Sequence, residues 1–108
     1  SHEMYQLSEI YLMRGENPLP VFQKAYEQFP EDVVVTLNYA NALLKYGKKA
    51  DGALRVLSDV RNDSRALFPM AVAYHIKRDW RKAEELLKEA YKQGDDRARA
   101  FYGEDAYE

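Results

Sequence analysis

The chain has no cysteine, which excludes disulfide staples and thiolate metal sites. It has only two histidines, His2 and His75, and neither has a second histidine or cysteine at ligand spacing, so no metal centre is expected. An excess of one charge is also missing. Sixteen basic and eighteen acidic residues leave a net charge of −2, with no strong pull toward nucleic acid or anionic lipid. No apolar run approaches the roughly 20 residues of a membrane span, and no signal peptide is visible. No Ser/His/Asp set, P-loop or glycine-rich phosphate turn is present. The carboxylate pairs Glu84-Glu85 and Asp95-Asp96 are adjacent, do not share a helix face, and read as solvated surface. No catalytic residue and no cofactor are therefore expected.

What is present is the composition of one soluble domain. The 108 residues are 46% apolar and 31% charged, too apolar for intrinsic disorder. The compartment is not encoded, and the cytoplasm is the default expectation. Ser1-His2-Glu3-Met4 looks like a tag-cleavage remnant, so the chain reads as a piece of a longer protein. Trp80 and the nine tyrosines raise the question of base stacking, but the basic residues are scattered among acidic ones. The cluster Lys77-Arg78…Arg81-Lys82 is diluted by Asp79, Glu84 and Glu85 and reads as a solvated turn.

Helix-period apolar spacing runs through the chain. Met4, Leu7 and Tyr11 form one stripe, ended by Gly15. Asn17 then reads as an N-cap with Pro18 in the first turn, ahead of Val21, Phe22, Ala25, Tyr26 and Phe29, and Pro30 closes that helix. Asp32 can cap a helix carrying Leu37, Tyr39, Ala40, Leu43 and Leu44, which Gly47 should end in a left-handed conformation. Val33–Thr36 has strand propensity but runs straight into this stripe, so no strand is assigned. Ala53, Leu54, Val56, Leu57 and Val60 follow, then turn chemistry at Asn62-Asp63-Ser64, where Asp63 or Ser64 can cap. The next helix carries Leu67, Met70, Ala71 and Tyr74, and Pro69 predicts a late start or a kink. Asp79 caps a last long helix with Ala83, Leu86, Leu87, Ala90 and Tyr91 inward and Gly94 at its end. Ala98, Phe101, Tyr102 and Tyr107 suggest a terminal capping helix.

Two-helix units recur along this pattern. Gly15 and Gly47 lie 32 residues apart, Ala40 and Ala71 lie 31 apart, and Ala25, Val60 and Ala90 recur at 35 and 30. Small residues such as Ser8, Ala40 and Ala71 let the helices of a hairpin approach, and Ala25, Ala83 and Ala90 do so between units. With Trp80 at the turn of the third unit and Asn38-x2-Asn41-Ala42…Lys45-x-Gly47 in the second, the chain resembles the tetratricopeptide repeat family. The resemblance covers roughly residues 2–95, although the join between the second and third units is about four residues short and predicts a tilt there.

The resemblance implies an all-α, right-handed superhelix of three helical hairpins: repeat 1 over 2–30, repeat 2 over 32–62, repeat 3 over 64–94, and a capping helix over 95–108. It also implies a protein- or peptide-binding scaffold whose concave groove is lined by the first helix of each unit. The groove residues it points to are Tyr5, Glu9 and Leu12, then Leu37, Asn41, Leu44 and Lys45 beside Val34, then Arg65, Phe68 and Val72, with His75 or Ile76. Leu37, Leu44, Phe68 and Val72 are larger and more apolar than a free solvent face needs, so the expected ligand is an apolar or amphipathic segment with Asn41 on its backbone. The opposing expectation is that the chain's own tail covers this face. A carboxylate clamp is disfavoured: Asn38 fits it, but Tyr5, Glu9 and Pro69 occupy its other positions, and Glu9 would repel a carboxylate. Two alternatives stand beside the scaffold reading, a homodimer formed through the groove and an accessory domain of a larger enzyme.

Overall fold

The computed structural model describes residues 6, 7, 10 and 13–102, apart from the side chains of residues 100–102. The described residues contain helices and no strand. Gln6, Leu7, Ile10 and Met13 are helical, and Gly15 follows in a left-handed conformation at φ 73°. Six helices come next: α1 (Leu19–Gln28), α2 (Val33–Ala42), α3 (Ala50–Leu57), α4 (Leu67–Ile76), α5 (Trp80–Lys92) and α6 (Asp96–Tyr102). Each packs on its neighbours in sequence, and α2 also meets α4. The α4–α5 hairpin forms the most extensive contact.

The starts follow from local chemistry. The Asn17 side-chain oxygen accepts from the Leu19 amide at 2.9 Å, so the cap is made from one residue further out than expected, with the buried Pro18 between. Asp32 caps α2 through the Val35 amide at 3.1 Å, which holds Val33–Thr36 in helix despite its strand propensity. Asp79 caps α5 through the Lys82 amide at 3.2 Å. Pro69 is accommodated by a late start: a 3₁₀ turn over Ser64–Ala66 precedes α4, so the ring occupies the third position, where no intrahelical donor is needed.

The stops are less conventional. Gly94 ends α5 at φ 86°, with the Asp95 amide on the Ala90 carbonyl and the Gly94 amide on the Tyr91 carbonyl, a Schellman arrangement. The same pair of bonds ends α4, Asp79 to Tyr74 and Arg78 to His75, but the left-handed residue is Arg78 at φ 65°. Gly47 was expected to be the left-handed stop after α2, and it is not. A π turn over Leu43–Gly47 inserts one residue, and Lys48 takes the left-handed position at φ 50°. The Lys48 and Lys49 amides both reach the Leu43 carbonyl.

The core is built from small side chains. Among the described residues, ten of the seventeen buried apolar ones are alanines, so the helix backbones must approach closely. One cluster joins Leu37, Ala40, Leu43, Leu44, Ala53, Leu57, Ala66 and Ala73, spanning α2, α3 and α4. A second joins Ala71, Leu87, Ala90 and Ala98, and a third is centred on Phe22 and Ala42. Phe29, expected on the inner face of α1, instead lies exposed just past the helix end. Thr36 is buried, with its hydroxyl donating to the Asp32 carbonyl at 2.9 Å.

Placing a side chain at φ > 0 costs about 1 kcal/mol. Lys48→Gly and Arg78→Gly are each expected to raise stability by about that amount, and Gly94→Ala to lower it similarly, read as urea midpoints at constant m-value. Leu57 and Leu87 are nearly inaccessible, and truncation of either to alanine is expected to cost about 2–5 kcal/mol in the same titration.

Candidate interaction surface

The residues expected to line a groove separate into three groups. Tyr5, Glu9 and Leu12 lie outside the described residues. Leu37 and Leu44 are 8% and 6% exposed and belong to the central core cluster with Ala66 and Ala73, so α4 occupies the space a ligand would need. Asn41 and Val72 are half-buried, Lys45 and Arg65 are exposed, and Phe68 is half-buried. The structure thus leaves at the surface Asn41, Lys45, Arg65, His75, the apolar Val34 and Ile76, and parts of Phe68 and Val72.

Two of these groups are already engaged by the chain. Arg65 forks onto Asp63, Nε to Oδ1 at 3.0 Å and an outer nitrogen to Oδ2 at 2.7 Å, while its own amide donates to Oδ1 at 2.9 Å. The side-chain and backbone bonds from Arg65 push the Asp63 carboxyl down from 3.8 to about 2. Phe68 lies beneath the Arg97 guanidinium, 4.7 Å from the ring centroid, and packs in the cluster that contains Ala98 of α6. The expectation that the tail covers this face is therefore met at Phe68, through Arg97 and Ala98. Phe101 and Tyr102 are helical, with side chains outside the description, and Tyr107 lies outside it altogether. Lys45 holds its ammonium 5.4 Å from the Tyr46 ring centroid.

Asp95 departs from the expected solvated carboxylate. Its side chain accepts from the Arg97 amide at 2.8 Å and is forked by the Arg97 guanidinium at 3.2 and 3.0 Å. Burial on its own would raise the Asp95 carboxyl, but the Arg97 bonds outweigh it and the net displacement is downward. The two arrangements share one sequence, Asp-x-Arg-Ala, at 63–66 and 95–98. The Asp63 cap is expected from the turn chemistry, whereas the Asp95 cap and the arginine two residues after each aspartate carry no signal in the apolar period. Trp80, expected to fill a turn, is the first residue of α5 and exposed, with its ring edge-on to His75 at 4.8 Å.

A different surface feature lies between α1, α2 and α3. The Tyr26 and Tyr39 rings stack with centroids 5.0 Å apart beside an open cleft of about 330 Å³. Only spatial proximity unites its residues, which is why no linear pattern reported it.

Because the Asp63, Asp95 and Asp51 carboxyls are held below their ordinary range, the unfolded chain binds more protons in acid and stability rises with pH there. The urea midpoint is expected to fall as pH drops from about 4 toward about 2, and Asp63→Asn should flatten that fall. An unchanged acid limb in the variant would show that the fork does not persist in solution. No protein-family model, curated protein or solved structure matches this chain.

Proposed function

We propose that the chain is a tetratricopeptide-like helical-repeat module that binds a protein or peptide segment. The observation that supports this most is the recurrence of an aspartate cap along the chain, made to the amide three residues on at Asp32 and two residues on at Asp63 and Asp95. Asp32, Asp63 and Asp95 each cap a helix start, 31 and 32 residues apart, and the third residue after each cap, Val35, Ala66 or Ala98, is buried. A chain assembled from such steps presents an extended surface instead of one enclosed pocket, and extended surfaces suit segments of other proteins. Asn41 supplies a side-chain amide for a bound backbone, Val72 an apolar contact, and Lys45 and Arg65 a basic rim. Leu37 and Leu44 drop out of the ligand contact and act as core.

A second reading, self-association, is favoured by Leu7, Ile10 and Met13. They are 50%, 43% and 87% exposed at helical spacing, a stripe that a second copy could cover.

Capture from source lysate by the chain and by an Asn41→Ala/Val72→Asp variant tests the binding surface. The expected outcome is a partner retained by the first and lost by the second, with unchanged helical circular dichroism. Equal capture would move binding off this face. Sedimentation across a concentration series separates the two readings, since self-association predicts a mass that rises with concentration and falls back in Ile10→Asp.

A further inference from the structure

The stacked tyrosine pair opens onto a cleft that the repeat architecture does not fill. α1 and α3 are held apart by α2 and make no extensive contact with each other. The space left between them is bounded by Tyr26 and Glu27 of α1, Tyr39 of α2, Arg55 and Val56 of α3, and Asp59 in the turn that follows. Its walls are aromatic and apolar at Tyr26, Tyr39 and Val56, and its rim carries two carboxylates against one guanidinium.

Among the described residues none of these three rim charges is in an ion pair. Glu27 accepts only a long bond from the Gln23 side chain, at 3.4 Å. The Tyr39 hydroxyl is raised above its ordinary range by burial, then by the Glu27 charge and by Tyr26. Burial works against a charge of either sign, so only the Glu27 contribution bears on a cation, which it favours.

A flat aromatic face next to unpaired carboxylates matches one side chain best. A guanidinium stacks on an aromatic ring and forks onto a carboxylate with the same plane of atoms, whereas an ammonium is a compact, strongly hydrated point charge. An anion would meet Glu27 and Asp59 with only Arg55 to offset them. We propose that this cleft receives an arginine side chain of a partner polypeptide, stacked on the tyrosine pair and paired with Glu27 and Asp59. The site is separate from the Asn41–Val72 surface and does not depend on it.

The test is a ¹⁵N–¹H correlation NMR titration of the chain with Nα-acetyl-arginine amide, with Nα-acetyl-glutamate amide as the anionic control. Saturable shifts are expected at the amides of residues 23–27, 39 and 55–59 with the arginine probe and not with the control. Glu27→Gln and Asp59→Asn are each expected to weaken the arginine probe about two- to fivefold, the size of an exposed charge pair. Arg55→Gln removes the competing cation and is expected to strengthen it by a similar factor. All three side chains belong to exposed residues, so the rest of the spectrum should stay unchanged. The absence of saturable shifts, equal shifts with the glutamate probe, or the same direction of change in all three variants would each overturn the proposal. The variants' opposite signs are the decisive reading, because general loosening of the helices would weaken binding in every one.

Discussion

Close approach of helix backbones across alanine methyls is the constraint on which the remaining structure depends. Ala40, Ala53, Ala66, Ala71, Ala73 and Ala90 are all fully inaccessible, and they sit where α2, α3, α4 and α5 cross. An alanine core contributes little apolar area per residue, so its stability comes from the number of such crossings and from the few large side chains set among them, Leu43, Leu57 and Leu87. That economy leaves little tolerance. A methyl that lets two helices meet cannot grow without separating them, and separating one pair moves every pair beyond it.

With side chains this small, helix ends carry much of the burden of fixing where each element starts and turns. Aspartates do so at four starts, Asp32, Asp63, Asp79 and Asp95, each accepting from a backbone amide two or three residues on. Two of them also fork an arginine from the same turn, which ties the cap to a side chain at no distance along the chain. The Asp51–Lys77 pair, 2.6 Å apart, joins the start of α3 to the end of α4. Since both of its partners are exposed, it orients these ends more than it stabilises them.

Much of this was legible in the sequence. The apolar period located all six helices, Asp32, Asp63 and Asp79 marked three of their starts, and Pro69 announced a late one, whereas the Asp95 cap and the uncapped start of α3 were not legible. The errors have physical causes. Gly47 looked like a stop because glycine is the cheapest left-handed residue, but a π turn moved that position to Lys48, and inserting one residue leaves no mark in composition. Arg78 is left-handed because two Schellman bonds and the Asp79 cap over-determine it, a local hydrogen-bonding demand that overrides the intrinsic preference of a residue with a Cβ. Leu37 and Leu44 were assigned to a ligand because apolar groups on an apparently free face usually await a partner. The partner proved to be α4 of the same chain.

That last error also says how the array is put together. Leu37 shares a cluster with Ala66, and Phe68, 31 residues after Leu37, shares a cluster with Ala98, 32 residues after Ala66. In both cases a large helix residue shares its cluster with the alanine three residues after an aspartate cap. Asp-Ser-Arg-Ala opens the helix that covers Leu37, and Asp-Asp-Arg-Ala opens the helix that covers Phe68. α6 covers Phe68 of α4 through Arg97 and Ala98, as Ala66 and Ala73 share the packing around Leu37 of α2. Leu37 and Leu44 are consumed by packing, while Val34 and Ile76 of the same face stay exposed. What else packing leaves at the surface is of another kind: the Asn41 amide, the cations Lys45 and Arg65, and the cleft beside Tyr26 and Tyr39.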